Sequence, residues 1–117
     1  MTLAVRSQII KDTNGRIKFW LPSSKSREHY HIGIWIEGEQ DELANIESVE
    51  YTLDESFKDN LRKSRNRMNK FGITIWTYGY FLILVKVNYA NGNETQLRYN
   101  LTFDLPADDG SNYIKIV

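Results

Sequence analysis

Two short stretches carry the side chains best suited to chemistry. Asp54-Glu55-Ser56-Phe57 follows a run in which Val49, Tyr51 and Leu53 share one strand face. Trp76-Thr77-Tyr78-Gly79-Tyr80-Phe81 crowds aromatic rings around a glycine just before a second strong strand run. Each puts hydroxyls and rings where a strand ends, the usual home of a binding site in an all-β domain. Together they point to a small aromatic pocket built from Asp54, Ser56, Phe57, Trp76, Tyr78 and Gly79. The ordinary alternative is strand-end packing, with Trp76 and Tyr80 as core and edge residues.

Catalytic chemistry finds no such constellation. Asp54 and Glu55 are adjacent, and neighbouring strand residues point to opposite faces. Ser56 has no nearby histidine to serve as its base, and there is no glycine-rich phosphate cradle. His29 and His31 are two apart and share a strand face, but no supporting ligand pattern makes them a metal site. The chain has no cysteine, which removes a thiol nucleophile, a disulfide framework and a zinc-thiolate centre. The expectation is a non-enzymatic binding module without metal or cofactor.

Composition sets the outer bounds. At 117 residues, 41% hydrophobic and 13% aromatic, the chain reads as one globular domain over residues 1–117 with a single core. Fifteen basic and fifteen acidic residues cancel, so the totals give no support to a general polyanion binder. The one basic run, Lys58, Arg62, Lys63, Arg65, Arg67 and Lys70, could meet phosphates, although such runs are more often solvated loops. No basic region followed by an apolar run opens the chain, and the apolar stretch 78–87 is too short to span a bilayer. The reading is a cytoplasmic protein that neither enters a membrane nor depends on nucleic acid.

The elements that must position the two corners read as strands. Alternation marks residues 17–21, 30–37, 46–53, 81–89 and 97–103, residues 3–10 are mixed with Leu3, Val5 and Ile9 on one face, and Ile73 and Ile75 lead into the aromatic corner. Asn14-Gly15 and Asn91-Gly92 suit the positive backbone angles of tight hairpin turns. Residues 38–45 are acidic and turn-like with one helical turn, 58–70 read as a long extended loop, and 113–117 as an edge strand or a frayed end. About seven strands at short intervals imply an immunoglobulin-like β-sandwich.

The stretches Tyr30-His31-Ile32-Gly33-Ile34-Trp35-Ile36-Glu37-Gly38, Ile46-Glu47-Ser48-Val49-Glu50-Tyr51-Thr52-Leu53, Ser56-Phe57 and Tyr78-Gly79-Tyr80-Phe81 resemble the YEATS domain, most closely its prokaryotic branch. The resemblance implies the same immunoglobulin-like sandwich. Eukaryotic members read acylated lysines on histone tails, so it also implies a peptide or protein ligand that carries a flat modified side chain. Ser56, Phe57 and Tyr78 match the family's pocket positions. By that likeness Phe57 and Tyr78 sandwich an acyl-amide, Ser56 hydrogen-bonds to it, and the backbone at Tyr78 and Gly79 donates to its oxygen. Asp54 stands where the eukaryotic members carry a histidine, and Thr77 where they carry a glycine. A structural or assembly domain, working through contacts of its sheet edges, is the alternative from another class.

Overall fold

Strand β3 (His29–Glu37) is the axis of the molecule, and its sequence explains why. Ile32, Ile34 and Ile36 alternate along one face and are completely buried, while His31, Gly33 and Trp35 line the other. In the computed structural model, which describes residues 3–117, β3 is paired along both edges. One edge carries β1 (Ala4–Ile9) and then, end to end with it, β2 (Ile17–Trp20); the other carries β6 (Ile73–Thr77). Strand β9 (Tyr113–Ile116) runs parallel to β2 at the rim of this first sheet.

The second sheet has the order β5 (Leu61–Ser64), β4 (Ile46–Thr52), β7 (Phe81–Tyr89) and β8 (Glu94–Leu101), antiparallel throughout. Val49 and Tyr51 of β4 and Ile83, Val85 and Val87 of β7 turn inward and meet Ile32, Ile34 and Ile36 in one core. The expected all-β, immunoglobulin-like sandwich is what the chain forms, with α1 (Gln40–Ala44) as the single expected helical turn between β3 and β4.

Three expectations need correction. Residues 58–70 are not one extended loop: they contain β5 and a 3-10 turn, Arg67–Asn69. Only Ser64 of β5 is buried, so pairing at this sheet edge relies on backbone bonds that leave no apolar alternation to read. Asn14-Gly15 does form a tight turn, closed by the Asp12 and Arg16 backbones with Gly15 at φ 77°. Yet the strands flanking it do not zip into a hairpin; both lie along β3, and the turn is an excursion between them bridged only at Lys11 and Ile17. The strands also number nine among the described residues rather than about seven.

Asn91-Gly92 behaves as expected. The Tyr89 and Asn93 backbones close a three-residue loop with Gly92 at φ 91°, joining β7 to β8.

The passage into β6 is the least regular part of the fold. Lys70 and Phe71 both have positive φ, 58° and 56°, which costs non-glycine residues about 1–3 kcal/mol each. Their surroundings over-determine them. Phe71 is buried in the core; its N–H donates to the Asn66 carbonyl, and its own carbonyl accepts from the Tyr51 hydroxyl at 2.6 Å. The Lys70 carbonyl accepts from Ile36 N–H, and the Asn66 side chain caps the 3-10 turn by accepting from Met68 N–H.

Candidate ligand-binding cleft

Strand β4 ends at Thr52, and the chain turns at once. Asp54 makes the turn: its carboxylate accepts from the Ser56 N–H at 3.0 Å and its carbonyl from the Phe57 N–H at 3.0 Å. The backbone N–H and the hydroxyl of Ser56 together hold the Asp54 carboxyl below its ordinary range. This compact corner throws the Phe57 ring against Phe81, at the start of β7, with centroids 5.2 Å apart.

The second corner is built by Thr77. Its buried hydroxyl lies 3.2 Å from the Gly79 carbonyl and 3.3 Å from the Gly79 N–H, which fixes the reversal between β6 and β7. Tyr78 is thereby turned outward and is 52% exposed. Its ring rests edge-on against His29 at 5.1 Å, and the Arg27 guanidinium lies over it at 5.6 Å. Tyr80 takes the other direction, donating its hydroxyl to the Phe103 carbonyl at 2.6 Å.

The two corners face each other across a cleft of about 380 Å³. All six expected residues line it: Asp54, Ser56, Phe57, Trp76, Tyr78 and Gly79. Phe57 and Tyr78 are each held from behind by a different ring, Phe81 and His29 respectively. A side chain at position 79 would meet nothing within 4 Å, so the glycine there opens space instead of relieving a clash.

Three contributors lie outside the two stretches and were not expected: Trp20, His29 and Lys58. Trp20 and His29 are direct cross-strand partners in the β2–β3 register, with rings 5.9 Å apart. Their signal in the sequence is faint. Trp20 lies one residue out of phase with the inward Ile17 and Phe19, and so belongs to the outer face.

Behind the cleft, His31 and Trp76 are partners across β3 and β6 and stack at 4.6 Å, only 7° from parallel. The Lys18 ammonium approaches His31 Nδ1 at 3.0 Å. An ammonium only donates, so His31 accepts at Nδ1 and carries its proton on Nε2. Burial first, and then the Lys18 charge, push the His31 pKa below its ordinary value. The histidines thus serve as ring partners in the outer face. Among the described residues no group of three or more His, Cys, Asp or Glu could hold a metal ion.

The basic run is spread over a loop, β5 and the 3-10 turn. Lys63 sits across from Glu50 in the β4–β5 register, Arg62 donates to the Asp59 carbonyl, and Lys70 lies beside the first sheet. No described helix is long and apolar enough to cross a membrane.

A family model described as the prokaryotic YEATS domain matches residues 30–102. Among solved structures, the chain is similar to the Yaf9 YEATS domain bound to H3K27ac, with 19% identity and a TM-score of 0.59 over 92% of this chain and 77% of that one. The Yaf9 YEATS domain recognising an H3K122suc peptide gives 17% identity and 0.58 over 86% and 75%. The yeast AF-9 homolog protein Yaf9 gives 18% identity and 0.58 over 88% and 74%. At these identities the likeness establishes the fold. No curated protein matches the chain by sequence.

Proposed function

The chain belongs to the prokaryotic YEATS domain family, and from that premise we propose that it is a non-enzymatic binding module whose cleft takes a flat, uncharged side chain of a peptide or protein, such as an acylated lysine. One observation carries the reading: Phe57 and Tyr78, each backed by another ring, line the same cleft with Ser56 between strand end and turn. An acylated lysine brings no ammonium to desolvate, and aromatic faces suit a planar amide.

Polarity follows from Asp54. The Asp54 carboxylate accepts from the Ser56 N–H and its pKa is lowered also by the Ser56 hydroxyl, which leaves that hydroxyl its lone pairs for the N–H of a bound amide. The ligand oxygen then needs a donor from the opposite corner. The Gly79 N–H is already turned to Thr77, which leaves that role to the Tyr78 end of the turn.

The test is an NMR titration of the labelled protein with acetyl- and crotonyl-lysine peptides beside their unmodified twins. The expected shifts fall on Ser56, Phe57 and Tyr78, appear only with acylated peptides, and vanish in folded Phe57→Ala and Tyr78→Ala variants. No shift at millimolar peptide would discard acyl-lysine recognition.

A second reading, assembly, is favoured by the outer face of the second sheet. Leu61 and Leu84 flank Thr52 in register and are 58% and 47% exposed, with Leu82 beside them. It predicts an association that depends on concentration and is lost in Leu84→Lys, measured by sedimentation.

A further inference from the structure

The geometry points to β6 as a docking edge: we propose that a ligand peptide adds to its free side as an extra strand, its modified residue in the cleft at one end and an apolar side chain in a second groove at the other. The proposal rests on the reading of the cleft given above and specifies how the rest of the peptide is held.

The first observation is the edge itself. β6 pairs with β3 on one side and, among the described residues, with no strand on the other. Unpaired edges invite pairing, and proteins usually blunt them with charge, proline or bulges. β5 carries Arg62 and Lys63, β8 carries Glu94 and Arg98, and β9 carries Lys115. β6 reads Ile-Thr-Ile-Trp-Thr, the one strand of the nine without a charged residue, and it has no proline. It is an edge left unprotected.

The second observation is what lies at each end. The cleft opens at Trp76 to Phe81, where β6 finishes. A separate groove of about 540 Å³ lies where β6 begins, lined by Gly33, Trp35, Met68, Lys70, Gly72 and Thr74. Glycine keeps its lining open: a side chain at position 72 would crowd the Asn69 and Ile34 carbonyls at 3.0 and 3.1 Å. Met68 stands in the lining 94% exposed, an apolar side chain presented to solvent by the 3-10 turn. The strained Lys70 and Phe71 backbone positions that turn beside β3, through the Lys70 carbonyl and the Ile36 N–H.

Strand geometry then fixes a spacing. Thr74 and Trp76 share the outer face of β6, and Tyr78 stands in the turn just beyond, its ring against His29, so a strand added along this edge to reach both grooves presents two side chains about four positions apart, roughly 13 Å. Backbone pairing gives such a complex its affinity and alternate side-chain pockets give its specificity. The occupant is therefore an extended peptide with a bulky apolar residue four positions from the modified lysine.

The experiment uses a peptide with a central acetyl-lysine and leucines four positions before and after it, against twins in which one or both leucines are alanine. One single-alanine twin should bind about tenfold more weakly, the factor that 1.4 kcal/mol carries. Which twin it is gives the strand direction. Met68→Glu, at a fully solvated position, should abolish the leucine advantage while leaving the acetyl-lysine shifts at Phe57 and Tyr78 in place. Hydrogen exchange should show new protection at those amides of residues 73–77 that point away from β3. Acetyl-lysine shifts with no leucine dependence and no new protection would overturn the docking edge and leave the cleft reading standing. No binding by any acetylated twin would overturn both. A dimer that protects the same amides without peptide would make a second copy the occupant, and would also overturn the proposal.

Discussion

Tyr51→Phe removes one oxygen and tests why the chain enters β6 as it does. The Tyr51 ring is fully buried, and its hydroxyl donates to the Phe71 carbonyl at 2.6 Å, inside the core. Phenylalanine keeps the packing but strands that carbonyl. An unsatisfied buried acceptor costs about 1–3 kcal/mol. Unfolding entropy of about 2.1 cal/mol/K per residue amounts to about 0.25 kcal/mol/K over 117 residues, so a loss of about 2 kcal/mol lowers Tm by about 8 °C. Urea and thermal unfolding give the two numbers. NMR shifts should spread through residues 66–72, because the lost bond is one of those holding Phe71 at positive φ.

The same hydroxyl makes an alkaline prediction. Burial pushes the Tyr51 pKa well above its ordinary value of 10.0. Above about pH 10 the unfolded chain releases this proton while the folded chain keeps it, so stability falls as pH rises, by about 1.4 kcal/mol per unit from this group. Below pH 10 the contribution is fully present. Tyr51→Phe should start less stable at pH 7 and show a shallower alkaline decline. A neutral-pH loss under about 0.5 kcal/mol, with unchanged shifts in 66–72, would refute the claim that Tyr51 holds the turn.

Two further outcomes follow from backbone and charge. Lys70→Gly relieves left-handed strain that glycine does not feel and should be neutral to about 1 kcal/mol stabilising, whereas Gly92→Ala at φ 91° should cost about 1 kcal/mol; urea midpoints compare them. His31, held below 6.5, contributes stability that is present above pH 6.5 and lost as pH falls, because the unfolded chain takes up the proton first. In Lys18→Met the His31 pKa should rise yet stay below 6.5, since burial is the larger cause, and an NMR pH titration of the ring reads it directly.

The parts of the fold written plainly in the chain are those where one face is dry and the other wet. Ile32, Ile34 and Ile36 alternate with polar or aromatic neighbours because β3 is sandwiched on a single face, and β7 with its Asn-Gly turn follows the same rule. β5 escaped because it contributes one buried side chain and earns its place through backbone pairing. The Asn14-Gly15 turn and the strands flanking it are legible, but their pairing is not, since which edge a strand joins depends on β3 rather than on the turn.

The cleft divides along the same line. Asp54 to Phe57 and Trp76 to Phe81 are contiguous in the chain, so their hydroxyls and rings could be read where they stand, and the likeness to the YEATS domain names three of them. Trp20 and His29 reach the cleft only through the pairing of β2 with β3, a relation between distant residues that no local pattern records. That difference bears on specificity. On the proposed reading Ser56, Phe57 and Tyr78 meet the modified side chain, whereas Trp20, His29 and Arg27 form the wall behind Tyr78. A ring resting against a histidine and beneath a guanidinium is restrained before any ligand arrives, which lowers the ordering cost of binding. The wall that sequence patterns hide is therefore the part that turns two exposed aromatic corners into a preorganised cleft.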